Sequence, residues 1–208
     1  MKHYKFLVIA TALSAGALHA SNCQPVKDAA TYYRSQLTTV FDLAKGTKLE
    51  KVFNDTSKSA NPITLFLPTN SAFRKLPTGV TEAVTNSTSL RETVLLDHAI
   101  KGRVGYIKFL SIFNELPRIT SGLTSNYLEK AGFPQSLNTG DFFFGGRALR
   151  TGGTNLISTT ELNWGSAESG FRGSFRDGSA TLVGVDYESC AGIVHVIDTV
   201  ITRKSDEH

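Results

Sequence analysis

Two short, strongly β-forming apolar runs lie more than a hundred residues apart, and a chain that carries them must bring them into one sheet or waste both. The first is Ile63-Thr-Leu-Phe-Leu67, bounded by Pro62 and Pro68. Its length and its proline borders read as a buried strand. The second is Gly192-Ile-Val-His-Val-Ile-Asp-Thr-Val-Ile201, rich in β-branched residues. In a regular strand Ile193, His195, Ile197 and Thr199 share one face, and Val194, Val196, Asp198 and Val200 share the other. His195 and Asp198 then point apart, which argues against a direct relay between them.

Helical patterning fills the first half. Val26, Ala30, Tyr33, Leu37, Val40, Phe41 and Ala44 recur at three- and four-residue steps, which predicts a helix over 26–45 closed by Gly46. A second short helix is predicted around Leu49, Val52 and Phe53. After Pro68, the residues Thr69, Asn70 and Ser71 all suit a helix N-cap, with Ala72-Phe73 opening the helix. Leu90–Ile100 reads as a helix running into a short strand and stopping at Gly102. Tyr106–Leu116 has helical spacing as well. From Ser121 to Gly178 the chain is rich in Gly, Ser, Thr and Asn, and loops with short strands are expected. Ala180–Tyr187 alternates as a strand does. Helices first and strands later predict an α+β fold with a segregated sheet.

Met1–Ala20 has the basic start (Lys2, Lys5), apolar middle and small-residue end of a secretory signal peptide, with cleavage expected after Ala17 or Ala20. Its loss takes the basic count from 22 to 20 against 18 acidic residues, so the net charge falls from +4 to +2. No Lys/Arg block is present, and nucleic acid is excluded as a partner on that ground. No apolar run reaches the roughly 18 residues a membrane span needs. The polar end 205–208 carries no GPI signal. In an oxidising compartment Cys23 and Cys190, the only two cysteines, are expected to bridge. Asn54-Asp55-Thr56 and Asn86-Ser87-Thr88 are sequons, which makes Asn54 and Asn86 glycosylation candidates.

Three segments in order resemble a known family. Ile63–Phe73 is similar to the first signature of the fasciclin (FAS1) domain, a strand ending in Pro-Thr with Asn and Ala-Phe after it. Val94-Leu-Leu-Asp-His-Ala-Ile-Lys-Gly102 resembles the family's Leu-rich segment, and Gly192–Ile201 its second signature. The resemblance implies a single fasciclin-like domain over 21–204, with helices of the N-terminal half packed on a mixed sheet or wedge built mainly by the C-terminal half. The poorly matching stretch implies an insert within 106–179. Pro68, Thr69, Asn70, Phe73, His98, Gly102, His195 and Asp198 are then signature residues with structural roles: Pro68 ends the ladder because it lacks an N–H, and Phe73 packs on the core.

Chemistry-bearing patterns are sparse. There is no His-Glu-x-x-His, no Cys-x-x-Cys and no Gly-x-Ser-x-Gly. No catalytic residue, metal ligand or cofactor is predicted, and His98 and His195 read as core histidines bonded to backbone carbonyls. His208 is terminal. Arg147, Arg150, Arg172 and Arg176, with Trp164, Phe171 and Phe175 near in sequence, could form a basic and aromatic surface for an acidic polysaccharide.

The resemblance implies an extracellular adhesion protein, secreted and associated with a cell wall or matrix, with protein or polysaccharide partners and no catalysis. Animal members use a Tyr-His pair in receptor contact. Here the matching place reads Asp97-His98, so that mode is not carried over. The alternative is a carrier of an apolar ligand such as a carotenoid, held against Phe142–Phe144, Trp164, Phe171 and Phe175. A secreted hydrolase ranks last, since it lacks a nucleophile or metal motif.

Overall fold

The structure, a computed structural model, describes residues 23–108, 111, 134–138, 142–152, 155–165 and 178–202. The expected signal peptide, the 205–208 tail and much of the expected insert lie outside the described residues.

The sheet is built around the two apolar runs. Strand β1 (Ile63–Pro68) and strand β6 (Gly192–Ile197) pair in parallel over six consecutive rungs, from Ile63 opposite Gly192 to Pro68 opposite Ile197. Antiparallel strands complete it: β2 (Ala99–Lys101) beside β1, and β5 (Gly178–Glu188), β4 (Asn155–Gly165) and β3 (Phe142–Gly152) beyond β6, in the order β2-β1-β6-β5-β4-β3. The mixed sheet draws four of its six strands from the C-terminal half, and the fold is α+β.

Alternation along β1 and β6 decides which core each residue joins. Leu65, Leu67, Val194 and Val196 face the helices and pack with Val26, Leu37, Val40, Phe53, Phe73 and Leu95. Phe66 and Ile197 face the other way and pack with Ile100, Phe143, Leu162 and Trp164. Phe66 and Phe143 lie face to face, 5.4 Å between centroids and 3° between planes. Each fully buried side chain of this size stabilises by about 1.5–3 kcal/mol.

The helices are α1 (Val26–Ala29), α2 (Thr38–Ala44), α3 (Leu49–Asn54), α4 (Asn70–Arg74), α5 (Thr78–Asn86) and α6 (Thr88–Asp97). The long helix expected over 26–45 is instead three pieces, α1, a 3-10 segment over Thr31–Gln36, and α2. Ala30 and Leu37 leave helical geometry, with φ/ψ of −96/53 and −111/10. Thr31, Tyr32 and Tyr33 are β-branched or aromatic and lose rotamer freedom in an α-helix, and Thr31 Oγ1 donates to Asp28 O at 2.7 Å instead. The apolar spacing marked a real inner face, because Val26, Ala30, Leu37, Val40 and Ala44 are all buried. The stretch expected to hold loops and short strands carries a hairpin of two 11-residue strands, β3 and β4. Gly and Thr richness marked the stretch as irregular, yet cross-strand pairing overrides such local preferences.

Candidate functional site

Strand β5 loses register against β6 twice within a few residues. Leu182 pairs with Ile197, Gly184 with Val196 and Tyr187 with Val194, so each interval inserts one extra β5 residue. Such bulges re-aim side chains and collect near functional sites. At the second bulge Asp186 sits at φ 58°, left-handed backbone that a residue with a Cβ adopts at a cost.

Three groups hold this conformation. Asp186 N–H donates to His195 Nδ1 at 3.2 Å, and His195 Nε2 donates to Val104 O at 3.0 Å, so the buried imidazole is neutral with its proton on Nε2. Burial pushes its pKa down, against the opposing pull of the Val104 bond and the Asp186 charge. The Asp186 carboxylate accepts from Tyr106 N–H at 2.8 Å. His195 thus ties β6 to the bulge and to the segment after β2.

The bulge carries aromatic rings. A Cβ on Gly184 would stand 2.6 Å from Tyr33 Cε2 and 3.0 Å from Tyr187 Cε2, so both rings lie where a side chain at 184 would be. Tyr33 OH donates to Val183 O and anchors its ring on the strand. Tyr187 meets Tyr33 edge-on at 6.1 Å, and Tyr32 meets Tyr33 edge-on at 5.0 Å. Tyr32 is 81% exposed. Partial burial, then its two tyrosine neighbours, raise the Tyr187 pKa, so its phenol stays protonated at neutral pH.

Tyr187 also lines an open cleft of about 580 Å³ with Lys58, Arg103, Asp186 and Glu188. Arg103 pairs with Glu188. Cys23 also lines the cleft, and its disulfide to Cys190 joins positions 167 apart. Cys190 N–H donates to Gln24 O at 2.8 Å, and Ser59 N–H donates to Cys190 O at 2.9 Å, so the bridge is stitched to its surroundings. Among the described residues no cluster of His, Cys, Asp and Glu could hold a metal ion. The cleft offers one ring, fixed charges and hydrogen-bonding groups, which is equipment for binding.

The signature residues lie elsewhere, in the frame. Thr69 Oγ1 caps α4 by accepting from Ala72 N–H at 3.3 Å. Asn70 reaches across instead: its Oδ1 accepts from Thr39 N–H at 2.9 Å, and its Nδ2 donates to Ser35 O at 3.1 Å and to Thr38 Oγ1 at 2.9 Å. Phe73 is buried among the helices, and Pro68 is the last residue of β1. Gly102 O accepts from Thr64 Oγ1 at 2.7 Å. His98 Nδ1 donates to Val94 O at 2.6 Å while its Nε2 accepts from Ile201 N–H at 2.8 Å, and burial pushes its pKa down to about 4. Asp198 accepts from Thr181 N–H at 2.7 Å and from Thr199 Oγ1 at 2.9 Å. Burial raises its pKa, but these bonds and Lys75 outweigh that and leave it lowered. His195 and Asp198 face different partners, and His98 is sealed from solvent, so neither histidine offers a reactive ring.

The expected basic and aromatic surface does not form around Trp164. Trp164 is 2% exposed, and its Nε1 donates to Thr202 O at 3.1 Å. Nearness in sequence to the arginines says nothing about burial, and here Trp164 joins Leu162 in the core behind β4, where Glu161 and Asn163 are buried as well. Arg147 and Arg150 lie on β3, opposite Thr160 and Ile157, while Arg172 and Arg176 lie outside the described residues. The apolar-ligand groove loses Phe143 and Trp164 to the core, and Phe171 and Phe175 also lie outside the described residues. Asn54 and Asn86 are exposed at the ends of α3 and α5. Sequence reasoning missed Tyr32, Arg103 and Asp186 as a group. The adjacent Tyr32-Tyr33 pair and the Gly184-Val-Asp186 break in an apolar strand were the available signals.

The fasciclin domain family matches residues 35–203. No curated protein matches the chain. Among solved structures, the FAS1 domain pair from the insect cell adhesion molecule Fasciclin I is similar at 18% identity and a TM-score of 0.39, covering 67% of this chain and 36% of that one. The chain therefore spans about a third of the length of that structure.

Proposed function

The chain belongs to the fasciclin domain family, and from that premise we propose that it works outside the cell as a non-catalytic adhesion module, with the bulged β5 face as its contact surface. Secretion through residues 1–20 and glycosylation at Asn54 and Asn86 belong to the same reading, as do protein or polysaccharide partners at a wall or matrix. One observation supports the choice of face above the rest. Two bulges, a left-handed aspartate and a glycine overlain by two tyrosine rings all fall between Leu182 and Tyr187, beside an open cleft. A fold spends backbone strain where surrounding contacts enforce it, and such strain gathers at functional sites.

The test is binding of labelled chain, starting at Ser21, to its source cells and their wall or matrix, with unlabelled chain as competitor. Saturable, competed binding that falls in a Tyr32→Ala variant is the expected result. Absence of specific binding sinks the adhesion reading.

A further inference from the structure

We infer that the cleft beside Tyr187 is a carbohydrate site, and that its ligand is an uncharged oligosaccharide. The inference rests on the adhesion reading and names the partner chemistry for that same face.

Size comes first. About 580 Å³ lies within the roughly 300–1,000 Å³ of small-ligand sites, and the cleft is open at its rim, as a chain-like ligand that enters and leaves sideways requires.

Surface chemistry comes second. A pyranose ring has a face of C–H groups, slightly positive, and an equator of hydroxyls. The first suits the negative face of an aromatic ring. Tyr187 lines the cleft, half-buried Tyr33 meets it edge-on outside the lining, and exposed Tyr32 meets Tyr33 edge-on in turn. Because the rings meet at 74° and 80° rather than lying in one plane, they suit a ligand whose successive units are turned relative to each other, which a glycan chain supplies and a flat apolar molecule does not. The hydroxyl equator needs donors and acceptors together. Asp186 and Glu188 supply acceptors, and Lys58 and Arg103 supply donors.

Charge decides between glycan classes. Two cations and two anions line the cleft, so no net field favours a sulfated or uronic chain. A neutral polyhydroxyl ligand meets both signs without leaving a buried charge uncompensated. A large protein partner would favour an apolar interface centre, whereas the cleft mixes one ring with four charged side chains.

The experiment titrates the full chain with cellohexaose, laminarihexaose, mannohexaose, xylohexaose and chitohexaose by calorimetry and by tyrosine-resolved NMR, with heparin as the charged comparison. At least one neutral hexasaccharide is expected to bind saturably, to shift Tyr187 and Tyr32 resonances, and to bind equally well when salt is raised from about 0.1 M to about 1 M, which shortens the Debye length from about 10 Å to about 3 Å. Tyr187→Ala and Tyr32→Ala are expected to lose at least about tenfold in affinity, while Tyr187→Phe, which keeps the ring, stays within about threefold. Tyr32 is exposed, so its variant remains a test if Tyr187→Ala fails to fold. No binding by any neutral probe, undiminished binding in the folded alanine variants, or binding to heparin alone with loss at high salt each overturns the inference. Cell binding that survives enzymatic removal of wall and surface glycans also overturns it, and that result leaves the adhesion reading standing. Glycan binding without cell binding does the reverse.

Discussion

Strand β6 has two neighbours, and they treat it differently. On one side β1 keeps step for six consecutive rungs, while on the other β5 slips twice over a similar length. Every residue of β6 is buried, so the difference belongs to the partners. Where the register holds, side chains alternate cleanly between two cores and polar groups serve as fastenings. Where it slips, glycine replaces a side chain, a left-handed aspartate turns the strand, and tyrosine rings and charges reach a cleft. Regular pairing stores stability, and the slipped pairing presents chemistry. The comparison holds only if damage to the two sides has different consequences.

The largest effect is expected at Gly192, where β1 and β6 begin their shared run. Its φ is 144°, and a Cβ there would stand 1.9 Å from Ile63 O, a backbone atom that cannot swing aside. Gly192→Ala is expected to cost more than about 4 kcal/mol, enough to abolish folding of a marginal domain. Secretion yield and a urea transition measure it. A variant that unfolds within about 1 kcal/mol of the wild type would break the comparison on its stable side.

Next is the disulfide that bolts the N-terminus to the β5–β6 turn. Joining positions 167 apart removes much loop entropy from the unfolded chain. Paired Cys23→Ser and Cys190→Ser changes are expected to cost about 2–5 kcal/mol, read as a lower urea midpoint. Because Cys23 also lines the cleft, the same protein should bind cells less well at temperatures where it is still folded.

The pH dependence separates the fastenings. His98 has its pKa lowered to about 4 by burial, against an ordinary 6.5. Above pH 6.5 neither state takes the proton, and the stabilisation is whole. As pH falls from 6.5 toward 4 the unfolded chain is protonated while the native ring is not, and up to about 3 kcal/mol is lost. His195, also lowered, adds in the same direction. Asp198 is lowered as well, so its contribution is present above its ordinary 3.8 and disappears only below that, outside the histidine window. His98→Gln, whose amide offers both a donor and an acceptor, should flatten the slope between pH 6.5 and 4. An unchanged slope would mean that His98 does not carry it.

How much of this was legible follows the same division. The regular strands showed in the sequence because alternation and β-branching repeat, and the two signature segments run through β1 and β6, while Thr69, Asn70, His98 and Asp198, just outside the strands, fasten the frame. The slipped side has no period to read. Tyr33 has the spacing of an inner helix face and does pack on the helix-side core, but the 3-10 turn that carries it also lays its ring over Gly184, which no spacing shows. Asp186 looks like a polar position in an alternating strand, and only the register against β6 reveals that two extra residues turn it toward Tyr106. Trp164 was grouped with arginines nearby in the chain, and the hairpin pairing sends it into the core.

A smaller effect on folding is expected at Gly184. The atoms a new Cβ would meet, Tyr33 Cε2 at 2.6 Å and Tyr187 Cε2 at 3.0 Å, belong to side chains that can move. Gly184→Ala should therefore cost only about 1–2 kcal/mol while it pushes both rings off the strand. Binding to cells should fall by far more than stability does. Equal losses of both would mean that the rings serve packing and not contact.

Tyr32→Ala is the sharpest case because it should leave stability untouched. The ring is 81% exposed, so little apolar area is withdrawn from water when the chain folds, and its removal should lie within about 0.5 kcal/mol of the wild type. Its edge-on contact with half-buried Tyr33 at 5.0 Å leaves the rest of its own ring in water, which keeps the contribution small. A change on the regular side that is as large in atoms, such as Phe66→Ala, removes a ring that is fully buried and stacked, and should cost about 3–5 kcal/mol. If Tyr32→Ala leaves the urea midpoint in place and abolishes cell binding, the two sides of β6 divide stability from contact. If it leaves both in place, Tyr32 is an ordinary exposed tyrosine and the bulged face is not the contact surface.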